Sequence, residues 1–117
     1  MSRKIALAAS LALSSLVLAA APARAQTDLS AYADANGYLN MMKLTCAQLA
    51  GTYQEDANML AVWYSGYYNG IDKKSSINIP RVKEGIHQLI LYCKANPDKL
   101  IDQGVNFLLK AEKANKQ

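Results

Sequence analysis

The sequence predicts a small, single, all-α domain: a bundle of about four helices stapled by one disulfide. Three observations predict it. Apolar residues recur at helical spacing from residue 45 onward, with no strand-like alternation. Capping residues, glycines and prolines divide that stretch into helix-sized pieces. The chain has two cysteines, Cys46 and Cys93, and both follow a stretch that reads as an export leader.

The leader comes first in the chain. Arg3 and Lys4 form a short basic start, Ile5 to Ala21 is apolar or small, and Pro22 breaks the run. Ala23-Arg24-Ala25 matches the A-x-A pattern that signal peptidase reads, so residues 1–25 are expected to be cleaved and Gln26 to begin the mature protein. Such a leader suits a bacterial Sec substrate and places the protein in the periplasm of a Gram-negative cell. No Cys follows the apolar stretch at a lipoprotein position, and no later run is long enough to span a bilayer, so no membrane anchor is expected.

Cleavage changes the charge. Arg3, Lys4 and Arg24 leave with the leader, so the remaining 92 residues carry ten Lys and Arg against nine Asp and Glu. The mature net charge is +1, which offers no argument for nucleic acid or for an anionic membrane. A domain of this size buries one modest core, and a single staple matters to it. A pair of thiols in an exported domain most simply means one disulfide. Free thiols and a metal pair are the alternatives. Zinc wants four ligands, and His87 is the one histidine that could join the cysteines.

Residues 26–43 are polar and mixed, with Asn36-Gly37 as a breaker, and read as flexible or as holding a short helical turn. Residues 44–113 form the helical domain and 114–117 a polar tail. Thr45 is placed to cap a short first helix through Cys46, Leu49 and Ala50, stopped by Gly51. Glu55 and Asp56 put negative charge on the first turn of a second helix, which carries Met59, Val62, Trp63, Gly66 and Tyr67 and ends at Asn69-Gly70. Residues 71–78 read as a polar loop. Pro80 suits the first turn of a third helix, with Val82, Ile86, Leu89, Ile90 and Cys93 as one buried stripe. Asn96 and Pro97 are expected to start a fourth helix lined by Leu100, Ile101, Val105, Leu108 and Ala111.

Catalytic chemistry is hard to find. His87 sits between stripe positions, the Ser75-Ser76 pair lies in a loop, and there is no G-x-S-x-G, phosphate loop or spaced carboxylate pair. The sequence points away from an enzyme and from any cofactor or metal. The cluster Trp63-Tyr64-Ser65-Gly66-Tyr67-Tyr68 is the notable feature, because it holds more aromatic surface than one helix face usually buries. Trp63 and Tyr67 are assigned to the core, and Tyr64 and Tyr68 to an exposed edge.

These residues carry a resemblance. Leu44-Thr45-Cys46-Ala47-Gln48-Leu49 resembles the T-C-x-[DE]-[FL] opening of the HdeA/HdeB family of periplasmic acid-stress chaperones. Val62 to Gly70 resembles that family's aromatic second helix, which ends in G-Y-x-x-G. Tyr92-Cys93-Lys94-Ala95-Asn96-Pro97-Asp98-Lys99 is similar to its Y-C-x-x-N-P-x motif. The likeness covers about residues 44–110, with Gln48 in place of an acid and a long segment 26–43 as departures.

The resemblance implies a four-helix domain with one disulfide. It also implies a homodimer at neutral pH that loosens or dissociates in strong acid and then binds unfolded periplasmic client proteins. The residues assigned to a client or dimer surface are Met59, Val62, Trp63, Tyr64 and Tyr67, with Leu89 and Ile90 as surface uncovered on opening. Two other readings remain open: a periplasmic binding module such as a toxin-neutralising immunity protein, and a domain of this fold without acid-chaperone activity.

Overall fold

A computed structural model describes residues 25–116. The leader read over residues 1–25 therefore lies outside the described residues, apart from Ala25. Four α-helices follow a one-turn 3-10 helix at Leu29–Tyr32: α1 (Cys46–Gly51), α2 (Gln54–Ile71), α3 (Ile79–Ala95) and α4 (Ile101–Ala114). The described residues contain no strand, only an isolated antiparallel bridge between Thr45 and Leu100.

Local chemistry explains each start. Thr45 Oγ1 accepts from the Gln48 N–H (3.2 Å) and Gln48 Oε1 accepts from the Thr45 N–H (2.8 Å), a reciprocal capping box on α1. Gln48, which stands where the resembled motif has an acid, makes this cap with its side-chain amide oxygen. Glu55 and Asp56 occupy the first turn of α2, where the N-terminal end of the helix dipole favours negative charge. Asn78 Oδ1 accepts from the Arg81 N–H (3.0 Å) to cap α3, and Pro80 sits in its first turn.

The fourth helix begins later than the sequence predicts. Asn96 caps the end of α3 rather than the start of α4. Its Nδ2 donates to the Tyr92 carbonyl (2.9 Å), and its backbone N–H donates to the same oxygen (2.9 Å). Pro97 to Leu100 form a turn that caps α1 from outside. The Ala47 N–H donates to the Pro97 carbonyl (3.0 Å) and the Cys46 N–H to the Lys99 carbonyl (2.8 Å), while the Ile101 N–H donates back to Leu44 (2.9 Å). The orphan donors of α1 needed acceptors, and this long-range demand overrides the local Asn-Pro signal. Ala111 is also exposed rather than inward-facing.

The core gathers Leu29, Leu44, Leu49, Ala57, Leu60, Ala61, Tyr64, Leu89 and Ile101 around the fully buried Cys46–Cys93 disulfide, whose Cα atoms are 4.5 Å apart. The bond ties the start of α1 to the end of α3. Buried Leu29 brings the N-terminal segment into this core. It is held there by bonds from its N–H to Asp56 Oδ2 (3.1 Å) and from the Thr27 N–H to the Gly51 carbonyl (2.9 Å).

Helices α3 and α4 meet closely at Gly104. A Cβ there would lie 2.8 Å from Tyr92 Cδ1 and 3.3 Å from Leu89 Cδ1. Gly104→Ala is therefore expected to destabilise by about 1–2 kcal/mol, because overpacking outweighs the helix-propensity gain of about 1 kcal/mol. A thermal melt checks this: a variant as stable as the parent would show that the Tyr92 ring yields freely.

Candidate functional site

Helix α2 has two apolar faces. Ala57, Leu60, Ala61 and Tyr64 point into the core. On the other side Met59, Val62, Trp63 and Tyr67 are 56, 54, 40 and 43% exposed. The sequence-based assignment of the aromatics is thus reversed. Tyr64, expected at the surface, is only 1% exposed and is the largest fully buried side chain. Trp63 and Tyr67, expected in the core, form the surface, and Tyr68 is half-buried.

The reversal has a cause in hydrogen bonding. The Tyr64 hydroxyl donates to the Met41 carbonyl, and the Tyr68 hydroxyl donates to Asp102 Oδ1 while accepting from Asn106 Nδ2 (2.9 Å). Buried phenols need such partners, and only the inner face supplies them. Burial, reinforced by Asp102 and Tyr68, holds the Tyr64 hydroxyl well above the ordinary phenol range. Tyr68 is pushed up to about 12, chiefly by burial and then by its bond to Asp102, with Asn106 opposing. Both phenols therefore stay protonated at any pH near or below neutrality.

The exposed rings are ordered. Trp63 and Tyr67 stack with centroids 5.1 Å apart and planes 12° from parallel, and Tyr64 and Tyr68 meet them edge-on. Tyr32, Tyr38, Met41 and Met42 approach from the N-terminal segment and complete a shallow open groove with Trp63 and Tyr67. These four residues were missed in the sequence. The available signal was the density of Tyr, Leu and Met between residues 38 and 42, too apolar for a solvated linker. Leu89 is buried and Ile90 half-buried on α3, so neither joins the α2 surface in this state.

Three carboxylates link elements. Asp102 joins α4 to α2 through Tyr68. Asp56 accepts from the Leu29 N–H and, at 3.3 Å, from the Thr52 hydroxyl. Glu112 on α4 pairs with Arg81 on α3 at 2.5 and 2.8 Å and with Lys116 at 3.2 Å. The bidentate Arg81 bond, then Lys116, lowers the Glu112 carboxyl to about 2. Its folded pKa is depressed, so the pair's stabilisation is whole above the ordinary carboxylate range near 4 and is lost as pH falls through about 2. Arg81 and Glu112 are 44 and 33% exposed, so the contribution is below about 1 kcal/mol. The stability gap between the parent and Glu112→Gln is expected to be constant above about pH 5 and to close by about pH 2; urea melts across that range check it, and a gap that persists at the acid end would contradict the assignment.

Among the described residues, no cluster of His, Cys, Asp and Glu could hold a metal ion, and no helix is long and apolar enough to cross a membrane. No match was found among curated protein sequences or solved structures. The family model for the HdeA/HdeB family matches residues 6–102, most of the chain and both cysteines. With the helical order, the disulfide and the aromatic second helix in place, this chain belongs to the HdeA/HdeB family of periplasmic acid-stress chaperones.

Proposed function

We propose that this protein is exported after removal of residues 1–25 and acts in the periplasm as an acid-activated chaperone for unfolded proteins. It is a homodimer near neutral pH that loosens or dissociates in strong acid. The observation that carries this reading, beside family membership, is the exposed stripe of Met59, Val62, Trp63 and Tyr67 on α2. Aromatic and Met side chains adapt to varied apolar client segments at low entropic cost. The groove beside the stripe extends it through Tyr38 and Met42.

Charge supports the trigger. Acidification to about pH 2 neutralises ordinary carboxylates. Most of the nine Asp and Glu then lose their charge, Glu112 among the last, while ten Lys and Arg and His87 carry positive charge, so a near-neutral mature chain approaches +11 before its termini are counted. Like-charged subunits repel, and the same charge keeps a client complex soluble. Opening at low pH adds Leu89 and Ile90 to the client surface. Carboxylate contacts from Asp56 and Asp102 hold the segments that cover the core, so they are the places to look for the first opening.

The test is aggregation of an unrelated protein, followed by light scattering with and without the oxidised protein. Suppression is expected at about pH 2–3 and not at about pH 7, bracketing the carboxylate titration. Equal aggregation with and without it in acid would sink the proposal, and a single tight stoichiometric partner captured at neutral pH would favour a dedicated binding module instead.

A further inference from the structure

We infer that one end of the molecule, formed by the α2–α3 loop, the start of α3 and the end of α4, rests reversibly on anionic phospholipid bilayers. Ile71, Ile77 and Ile79 enter the headgroup region, and the lysines around them meet lipid phosphates. This goes beyond the chaperone reading and takes from it only the removal of residues 1–25.

The small net charge of the mature chain hides an uneven distribution. Residues 71–84 and 110–116 hold seven Lys and Arg against three acids, whereas all other residues from 26 onward hold three against six. The fold brings those two segments together. Helix α4 runs back along α3, from Gly104 beside Tyr92 to Glu112 beside Arg81. Arg81 bonds both oxygens of Glu112 at 2.5 and 2.8 Å, and Lys116 reaches the same carboxylate at 3.2 Å. Lys83 and Lys110 therefore come to the same end. Among the described residues, no acid pairs with Lys73, Lys74, Lys83, Lys110 or Lys113. One end of a nearly neutral chain is thus basic, with most of its ammonium groups unpaired, and such a patch draws anions.

The tip of that end is apolar. Every residue from 71 to 80 is exposed, so the loop projects from the bundle, and Ile71, Ile77 and Ile79 are each more than half exposed. Lys73 is held at φ 55°, in the left-handed region that favours glycine. A glycine there would relieve the backbone and remove the charge, and the chain keeps the lysine. Chemistry selects the partner. A polyanion without an apolar interior, such as nucleic acid, would pair the lysines and leave the isoleucines in water. A bilayer surface takes both, because lysine stems lie along the acyl boundary while their ammonium groups stay with the phosphates. Each Lys or Arg near an anionic leaflet strengthens attachment by about fivefold, and each isoleucine that enters adds buried apolar area.

The test is co-sedimentation of the oxidised protein with vesicles at neutral pH. The chain without residues 1–25 is used, because the helices and the disulfide all lie beyond the leader and an apolar leader would itself enter a bilayer. Phosphatidylglycerol vesicles are expected to bind it and phosphatidylcholine vesicles not. Salt at about 1 M, where the Debye length falls to about 3 Å, is expected to release it. Lys73→Gln with Lys74→Gln is expected to weaken binding at least about tenfold. Ile77→Ser is expected to weaken it too, and both variants to keep the parent's far-UV circular dichroism, since all three side chains stand in solvent. Equal binding to both vesicle types, binding to neither, or variants that bind as tightly as the parent would each overturn the proposal. Trp63→Ala is expected to bind like the parent; a loss there, with the lysine variant unaffected, would move the contact to α2 and overturn it as well. Capture on immobilised polyglutamate without vesicle binding would assign the basic end to acidic proteins and overturn the bilayer. The assay does not read client protection, so failure of either reading leaves the other standing.

Discussion

Replacing Cys46 and Cys93 together by alanine is expected to remove about 4 kcal/mol of stability. The bond closes a loop spanning a sequence separation of 47 residues, and chain entropy of the unfolded state puts such a cross-link at about that value. Small domains hold roughly 5–15 kcal/mol in total, so most of the margin goes. Alanine is the right replacement because both sulfurs sit in the core and a serine hydroxyl there would need a new partner. The position amplifies the loss. The disulfide pins the start of α1 to the end of α3, and the α3–α4 turn supplies the acceptors for the first N–H groups of α1. Without the bond, that docking has to be held by hydrogen bonds alone. Urea unfolding at neutral pH measures the change. A midpoint shift equivalent to less than about 1 kcal/mol would mean the unfolded chain is already compact, which is where the entropic account fails. In acid the double variant is expected to unfold outright, because charge repulsion is added to a lost tether. If it protects clients as well as the parent, the bond is a stabiliser and has no part in controlled opening.

The second large effect separates neighbours on α2. Tyr64→Ala is expected to cost about 3–5 kcal/mol, the range for emptying a large aromatic site in a core. Trp63→Ala is expected to cost about 1 kcal/mol, because the ring is 40% exposed and loses chiefly its stacking on Tyr67. Tyr64→Phe isolates the hydroxyl and should cost about 1 kcal/mol through the unmet Met41 carbonyl. Thermal or urea melts of the three variants give the order. Equal losses at residues 63 and 64 would contradict the two-faced helix. For client binding the order is expected to reverse: Trp63→Ala should weaken protection in acid while leaving the neutral fold intact.

The sequence was legible where signals are local. The Thr45 cap, Pro80 in the first turn of α3 and the Val82-Ile86-Leu89-Ile90-Cys93 stripe each rest on signals within a few residues; the cap and the proline stand where they were expected, and of the stripe Leu89 and Cys93 are buried while Val82, Ile86 and Ile90 are half-buried. The boundary after α3 was not legible, because the carbonyls of Pro97 and Lys99 are held by N–H groups of Cys46 and Ala47, about fifty positions earlier in the chain. Gly104 was overlooked for the same kind of reason: its smallness matters only because Tyr92 from another helix lies over it.

Family, fold class and the disulfide were thus set by the sequence alone, through helical periodicity, two cysteines and short motifs around them. The facing of α2 was not. That helix is apolar over most of its circumference, so a 3.6-residue period finds a stripe on either side. The tertiary structure chose between them by satisfying polar atoms. Met41, Asp102 and Asn106 offer partners to the hydroxyls of Tyr64 and Tyr68 on one face, and nothing comparable awaits Trp63 and Tyr67 on the other. Burying an unpaired polar group costs more than leaving an aromatic ring in water, and that difference placed the functional stripe outside.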